Sequence, residues 1–384
     1  MAVAGPRGYR SYTANMGLKD SADDFALVVS EVPAVSAAVF TRSRFAGPSV
    51  VLSRIDAAPQ RSRGMVVVAR NANVATGRVG ALHAEEVRRL AAAKAGVLPE
   101  ELVIGSTGVI GRPYPMERLR AGIGAVPTPL PAADFEAAAA AIMTTDTRPK
   151  SVRLRCGAAT VAGIAKGVGM IEPDMATMLA FFFTDARIAA DRLDAVFRRV
   201  VDRTFNALSI DTDTSTSDTA AVFANGLAGP VDEAEFEEVL HRAALTLVRS
   251  IASDGEGATK LLEVRVTGAR DTAQAKRVGK AVVNSPLVKA SVHGADPNWG
   301  RIAMAVGKLS DEADIVQSRL RIHYGGTEMF PREPDAAALV RARSHLAGAE
   351  VVVRIDLGIA DGEFTVYGCD LTEGYVRLNA GYTT

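Results

Sequence analysis

Lys166-Gly-Val-Gly-Met-Ile-Glu-Pro-Asp-Met-Ala-Thr-Met-Leu-Ala180 runs from a stretch that resists regular structure into an apolar segment, and brings one hydroxyl, that of Thr177, to the junction. Gly167, Gly169 and Pro173 break any helix or strand and let the backbone approach other groups closely. Downstream, Leu179, Phe181, Phe182 and Phe183 form a short, bulky run that reads as a buried strand rather than a helix. A threonine at such a junction becomes a nucleophile if the bond before it is cut. Its freed α-amine, with a reference pKa of about 7.7–8.0, is then a base for its own hydroxyl. Ala176 is small, which suits a tight turn in which the Thr177 hydroxyl oxygen attacks the Ala176 carbonyl. Without such a cut, Thr177 is an ordinary strand threonine.

The remainder of the chain restricts the class. With 384 residues, 48% of them hydrophobic, the chain can bury a large core without a metal or disulfide staple, in one large or two closely packed domains. Lys+Arg and Asp+Glu are 44 each, so the formal net charge is zero and no global footprint for nucleic acid or anionic lipid exists. Cys156 and Cys369 are too few for a secreted disulfide framework or a zinc cluster, which points to a reducing cytoplasm. No run approaches the ~18 apolar residues of a membrane span, and the first residues carry no apolar signal core. The five histidines have no metal-ligand pair at helical spacing, so no metal is expected.

Strand and helix patterns alternate. Met65–Ala69 reads as a buried strand, and helices are expected from about Ala84 to Ala95 and Ala133 to Met143. The clearest helix starts after Asp232, with Glu235 as capping-box partner and Phe236, Val239, Leu240, Ala243, Leu247, Val248 and Ile251 on one face, and ends at Gly255. Leu262, Val264 and Val266 alternate with polar residues as in a half-buried strand. Val351–Leu357 and Glu363–Cys369 flank Ala-Asp-Gly and read as a hairpin. These patterns suggest a layered α/β (α+β) fold but do not choose among mixed architectures.

The Gly167–Leu179 segment resembles the self-cleavage site of the ornithine acetyltransferase family, whose members transfer acetyl from N-acetylornithine to glutamate. Other blocks agree in the same order: Asn71–Gly77, Ser106-Thr-Gly-Val-Ile-Gly111, Met143-Thr-Thr-Asp-Thr-Arg-Pro-Lys150, Asp213–Thr219, Ser253-Asp-Gly-Glu-Gly-Ala258, Asp296–Arg301 and Gly368–Thr372. The resemblance implies an amino-terminal-nucleophile-like αββα layered sandwich with a smaller C-terminal α/β domain. The corresponding division is a catalytic domain over 1–280 and a C-terminal domain over 281–384. It implies self-cleavage between Ala176 and Thr177 into an alpha chain, 1–176, and a beta chain, 177–384, assembled as a heterotetramer of two each. Thr177 is then the nucleophile, Thr107 and Gly108 form the oxyanion hole, and Thr144, Lys166, Glu256, Asn379 and Thr384 contact the substrates, N2-acetylornithine and glutamate. No cofactor is implied. Two positions depart from the family: Thr212 stands where glycine is more common, and Ser217 where asparagine is.

The residues carry weaker patterns too. Leu208–Ser215 imitates the strand and acidic pair of an aspartyl-phosphate enzyme but ends in the wrong residue, and Gly255–Lys260 lacks the order of a phosphate loop. Alternatives to the glutamate reaction are an N-acyltransferase with another amino-acid acceptor or an acetyl-CoA donor, and a self-cleaving aminopeptidase in which water replaces the acceptor.

Overall fold

The computed structural model describes residues 3–56, 61–172 and 178–381. Ala176, Thr177 and Thr384 lie outside the described residues. The chain opens with β1 (Tyr9–Ala14), β2 (Phe25–Ser30), β3 (Val35–Phe40), α1 (Pro48–Asp56), β4 (Gly64–Val68), α2 (Gly77–Ala95) and β5 (Leu102–Ser106). Next come α3 (Met116–Gly124), α4 (Phe135–Ala141), β6 (Lys150–Cys156), β7 (Ala159–Lys166), β8 (Leu179–Arg187), α5 (Ala190–Arg203), β9 (Thr219–Pro230), α6 (Glu233–Ser253) and β10 (Leu261–Ala269). The rest comprises α7 (Thr272–Val283), α8 (Pro286–His293), α9 (Trp299–Gly307), β11 (Arg321–Tyr324), β12 (Thr327–Phe330), α10 (Ala336–Leu346), β13 (Glu350–Asp356), β14 (Gly362–Cys369) and α11 (Glu373–Gly381).

Three sheets result, ordered β1-β2-β4-β5, β3-β9-β8-β7-β6 and β12-β11-β13-β10-β14. The unbroken apolar run after Thr177 forms the first half of strand β8, where both faces are covered. Leu179, Phe181 and Phe183 meet Ala26, Val28, Met65 and Val67 of the first sheet, while Ala180 and Phe182 face the opposite side with Val196, Phe197 and Leu240 of α5 and α6. On the first sheet, Phe25, Leu27, Val66 and Ile104 point outward against Ala84, Val87 and Leu119 of α2 and α3. Helix, sheet, sheet and helix are thus stacked in the αββα order that the resemblance implies. Each fully buried large side chain at these interfaces contributes roughly 1.5–3 kcal/mol. No helix among the described residues is long and apolar enough to cross a membrane.

Local signals located most elements but not all of their neighbours. The expected strand at 65–69 is β4, α2 begins earlier than expected, at Gly77, and α4 is shorter, with Asp134 capping the amides of Glu136 and Ala137. Helix α6 is capped by Asp232, which accepts from the Glu235 amide at 2.8 Å. The reciprocal half of the expected capping box is replaced, because the Glu235 carboxylate accepts from the Gly157 amide at 2.9 Å instead. The hairpin expected from β13 and β14 is not formed. β10 lies between them, parallel to β13 and antiparallel to β14. Turn residues between two strands show where the chain reverses, not which strand fills the space between them. β10, which precedes residue 281, and α7, which spans it, are therefore built into the C-terminal sheet and its helical cover.

Candidate active site

The ends of β5 and β7, the loop after α6 and the helix α11 converge on one cavity of about 200 Å³. Its walls include Thr107, Gly108, Thr144, Lys166, Glu256 and Asn379, six residues singled out from sequence and drawn from well-separated stretches of chain. The same cavity is lined by Thr145, Met170, Asp211, Asp213, Ser217 and Tyr375, which that reading did not assign to the site.

Thr107 and Gly108 follow β5 on a turn held by the 70–74 loop. The Thr107 amide donates to Val68 O at 3.1 Å and the Val109 amide to Arg70 O at 3.1 Å. Between them, the Gly108 amide has no acceptor among the described residues, the arrangement a developing oxyanion needs. Gly108 has φ 122°, and a Cβ there would lie 2.3 Å from the Arg70 carbonyl carbon. Only glycine fits this approach.

Lys166, the last residue of β7, donates from Nζ to the Thr107 hydroxyl oxygen at 2.8 Å and to that of Thr144 at 3.2 Å. Burial lowers the Lys166 pKa, opposed by Asp146, Asp218 and Glu256 and assisted by Lys150. A cation tied to two hydroxyls at a cavity wall is suited to a substrate carboxylate.

The carboxylate of Glu256 is aligned from two sides: the Thr145 hydroxyl donates to Oε1 at 2.9 Å and the Asn379 amide to Oε2 at 2.8 Å. A Cβ on Gly169 would come within 2.5 Å of Glu256 Oε2, so the glycine-rich approach to the expected cleavage site leaves room for this acid. Thr144 and Thr145 have different roles, one answering the cation and the other the anion. Tyr375 Oη donates to Asp211 Oδ2 at 3.3 Å, and Asp211 in turn accepts from the amides of Met170 and Ile171 at 2.7 and 2.8 Å. The chain up to Glu172 is further held by Ile210 N to Ile171 O and Glu172 N to Asp213 O.

Beneath the cavity lies a buried ionic cluster. Lys150 Nζ reaches Asp146 Oδ1 at 2.7 Å and Asp254 Oδ2 at 2.6 Å, with the side chains almost wholly shielded from solvent. Asp146 also accepts from the amides of Thr144 and Gly167. Burial pushes its pKa up, but Lys150 and Lys166 with these bonds outweigh burial and leave it lowered. One cluster thereby fixes the backbone beside Thr144, Lys166 and Glu256 together.

Sequence reasoning missed Tyr375 because α11 has no buried residue and no marked apolar periodicity. Asp211 and Asp213 were visible as an acidic pair, but the aspartyl-phosphate reading of their block drew attention from the cavity they line. Arg301, at the end of the Asp296–Arg301 block, donates to Leu287 O at 2.8 Å. Among the described residues no three His, Cys, Asp or Glu side chains gather as a metal-binding group.

Comparison with known proteins agrees across the chain. The model of the ArgJ family matches residues 10–384. A glutamate N-acetyltransferase, Oat2, of Streptomyces clavuligerus is 62% identical over 99% of this chain and 98% of its own length. An arginine biosynthesis bifunctional protein ArgJ of Rhodococcoides fascians is 52% identical over 100% of this chain and 96% of its own. Among solved structures, an arginine biosynthesis bifunctional protein argJ of Bacillus halodurans is 40% identical with a TM-score of 0.51, covering 54% of this chain and 100% of its own.

Proposed function

This chain belongs to the ArgJ family, and from that premise we propose that it is a glutamate N-acetyltransferase of arginine biosynthesis, moving acetyl from N2-acetylornithine to glutamate through an acetyl-Thr177 intermediate. The observation that carries the reading is the single cavity shared by Thr107, Gly108, Thr144, Lys166, Glu256 and Asn379. It offers amide and hydroxyl donors, a cation for a carboxylate and an anion for an amine, the complement of an acylated amino acid.

In maturation the Thr177 hydroxyl oxygen attacks the Ala176 carbonyl carbon, the amide C–N bond breaks, and water opens the resulting ester to give chains 1–176 and 177–384. In turnover the Thr177 α-amine takes the proton of its own hydroxyl, whose oxygen attacks the acetyl carbonyl. The Gly108 amide and the Thr107 hydroxyl receive the negative charge that forms on oxygen. A preorganised donor of this kind is worth about 2.7–4 kcal/mol of barrier. Collapse expels ornithine, whose departing nitrogen regains the proton from the α-amine. Glutamate then enters, its amine attacks the acetyl-Thr177 ester, and N-acetylglutamate leaves. Lys166 holds the substrate carboxylate, Glu256 answers a substrate ammonium, and Thr144, Asn379 and Thr384 complete the contacts.

The Bacillus halodurans chain is covered whole by 54% of this one, and residues 177–384 are 208 of 384, the same share. That coincidence is in keeping with a cut at Ala176–Thr177. We place the processed enzyme in the cytoplasm as a heterotetramer of two alpha and two beta chains. Intact-mass measurement of the wild type beside Thr177→Ala, before and after N2-acetylornithine, tests the scheme. Wild type should give two fragments, with an acetyl adduct on the one beginning at Thr177. A wild-type chain of 40.3 kDa that stays whole and gains no acetyl would overturn it.

A further inference from the structure

Self-cleavage poses a proton problem that turnover does not. Until the bond is cut, residue 177 has an amide nitrogen rather than an amine, so its hydroxyl needs another base and its leaving nitrogen needs an acid. The start of β8, two residues beyond Thr177, is flanked by strands on both sides. On one side Lys166, the last residue of β7, is in register with Leu179. On the other, the Thr219 amide of β9 donates to Met178 O at 2.8 Å, and Asp218 immediately precedes it.

Asp218 is 2% exposed, and its Oδ2 has no hydrogen-bond partner among the described residues. A carboxyl oxygen so placed normally costs stability and requires a reason. Asp218 lines a cavity of about 20 Å³ together with Lys166, Thr107, Ser215 and Met178. That volume holds about one water-sized group. Burial pushes the Asp218 carboxyl well above the usual carboxylate range, against a hydrogen bond from Ser215 and the nearby Lys166. Burial also pushes Lys166 down, with Asp146, Asp218 and Glu256 opposing and Lys150 assisting. Burial thus acts on both groups toward the uncharged form, a carboxylic acid beside an amine, while their mutual attraction acts the other way.

We propose that Lys166 and Asp218 are the base and the acid of self-cleavage, an inference that rests on the cut at Ala176–Thr177. As the Thr177 oxygen bonds to the Ala176 carbonyl carbon, its proton passes to the Lys166 amine. As the C–N bond breaks, the Asp218 carboxyl proton passes to the Thr177 nitrogen. The products are an ester, an α-amine, a Lys166 ammonium and an Asp218 carboxylate. Water then adds its OH to the Ala176 carbonyl carbon and a proton to the Thr177 oxygen, the new carboxyl losing its proton to solvent. Once the α-amine exists it takes over as base, and Lys166 is released to bind the substrate carboxylate.

The test follows fragment formation by intact mass in freshly synthesised full-length chain across pH 5–9, for wild type, Asp218→Asn and Asp218→Glu. Wild type should give a bell-shaped rate profile, falling at low pH as Lys166 is protonated and at high pH as Asp218 ionises. Asp218→Asn should cleave about 100-fold more slowly, within the range of general acid–base effects, and lose the alkaline limb. Asp218→Glu should recover part of the rate and restore that limb at a displaced pH. Cleavage of Asp218→Asn at the wild-type rate with an unchanged profile would overturn the proposal. Should Asp218→Asn melt well below the uncut Thr177→Ala chain, the Asp218→Glu profile decides: a displaced alkaline limb supports the role, and a superimposable one overturns it. A wild-type chain that never cleaves would instead overturn the underlying cut, a result separable from any effect at Asp218.

Discussion

Thr212 illustrates a residue whose strain was foreshadowed by type and explained by geometry. Its departure from the glycine common in the family was legible in the sequence, and the structure gives it φ 70° on an exposed loop beside Asp211 and Asp213. A β-branched residue in that region costs about 1–2 kcal/mol, whereas glycine costs about 0.5–1 kcal/mol in lost chain entropy. Thr212→Gly should therefore raise stability by roughly 0.5–1 kcal/mol, seen as a higher urea midpoint at unchanged slope. A lower midpoint would mean that the threonine side chain makes compensating contacts. Residue types and their order sufficed to nominate Thr107, Lys166 and Glu256, because each stood in a recognisable block. They could not separate Thr144 from Thr145, since adjacent threonines differ only in which way the backbone turns them. Nor did anything local mark Asp218, whose significance lies in one buried carboxyl oxygen, Oδ2, left without a hydrogen-bond partner among the described residues.

Periodicity and capping residues made many elements legible: β8, α6 and the alternation in β10 follow directly from burial on two faces, one stripe and one face. Pairing was less legible, as the placement of β10 between β13 and β14 demonstrates. The Lys150 cluster is likewise invisible locally, because Asp254 joins it from the far end of α6. Lys150→Met should leave Asp146 and Asp254 buried without their cation and cost about 3–5 kcal/mol in chemical denaturation. A loss below about 1 kcal/mol would show that the two acids are solvated or protonated. The pH dependence has a definite sign. Asp146 is lowered in the folded state, so its contribution is complete above its unfolded carboxylate range and disappears as the pH falls through the lower folded value. Acid should thus loosen the backbone at Thr144 and Gly167, which this carboxylate holds.

At the scale of the whole molecule, the layer order was legible only through the resemblance, since a core made by three sheets is assembled from contacts remote in sequence. The central sheet has a particular composition: β3, β6 and β7 precede residue 177, β8 and β9 follow it, and the two groups interleave as β3-β9-β8-β7-β6. A cut between 176 and 177 therefore severs the chain without separating any strand from its neighbours. Unfolding such a molecule releases two particles instead of one, which changes the molecularity of the equilibrium. The midpoint of the cleaved protein should rise with its concentration, and recovery from denaturant should follow second-order kinetics. The uncut Thr177→Ala chain should show no concentration dependence arising from rejoining those two pieces. Dilution, harmless to a continuous chain, becomes a denaturing condition for one whose central sheet is shared between two polypeptides.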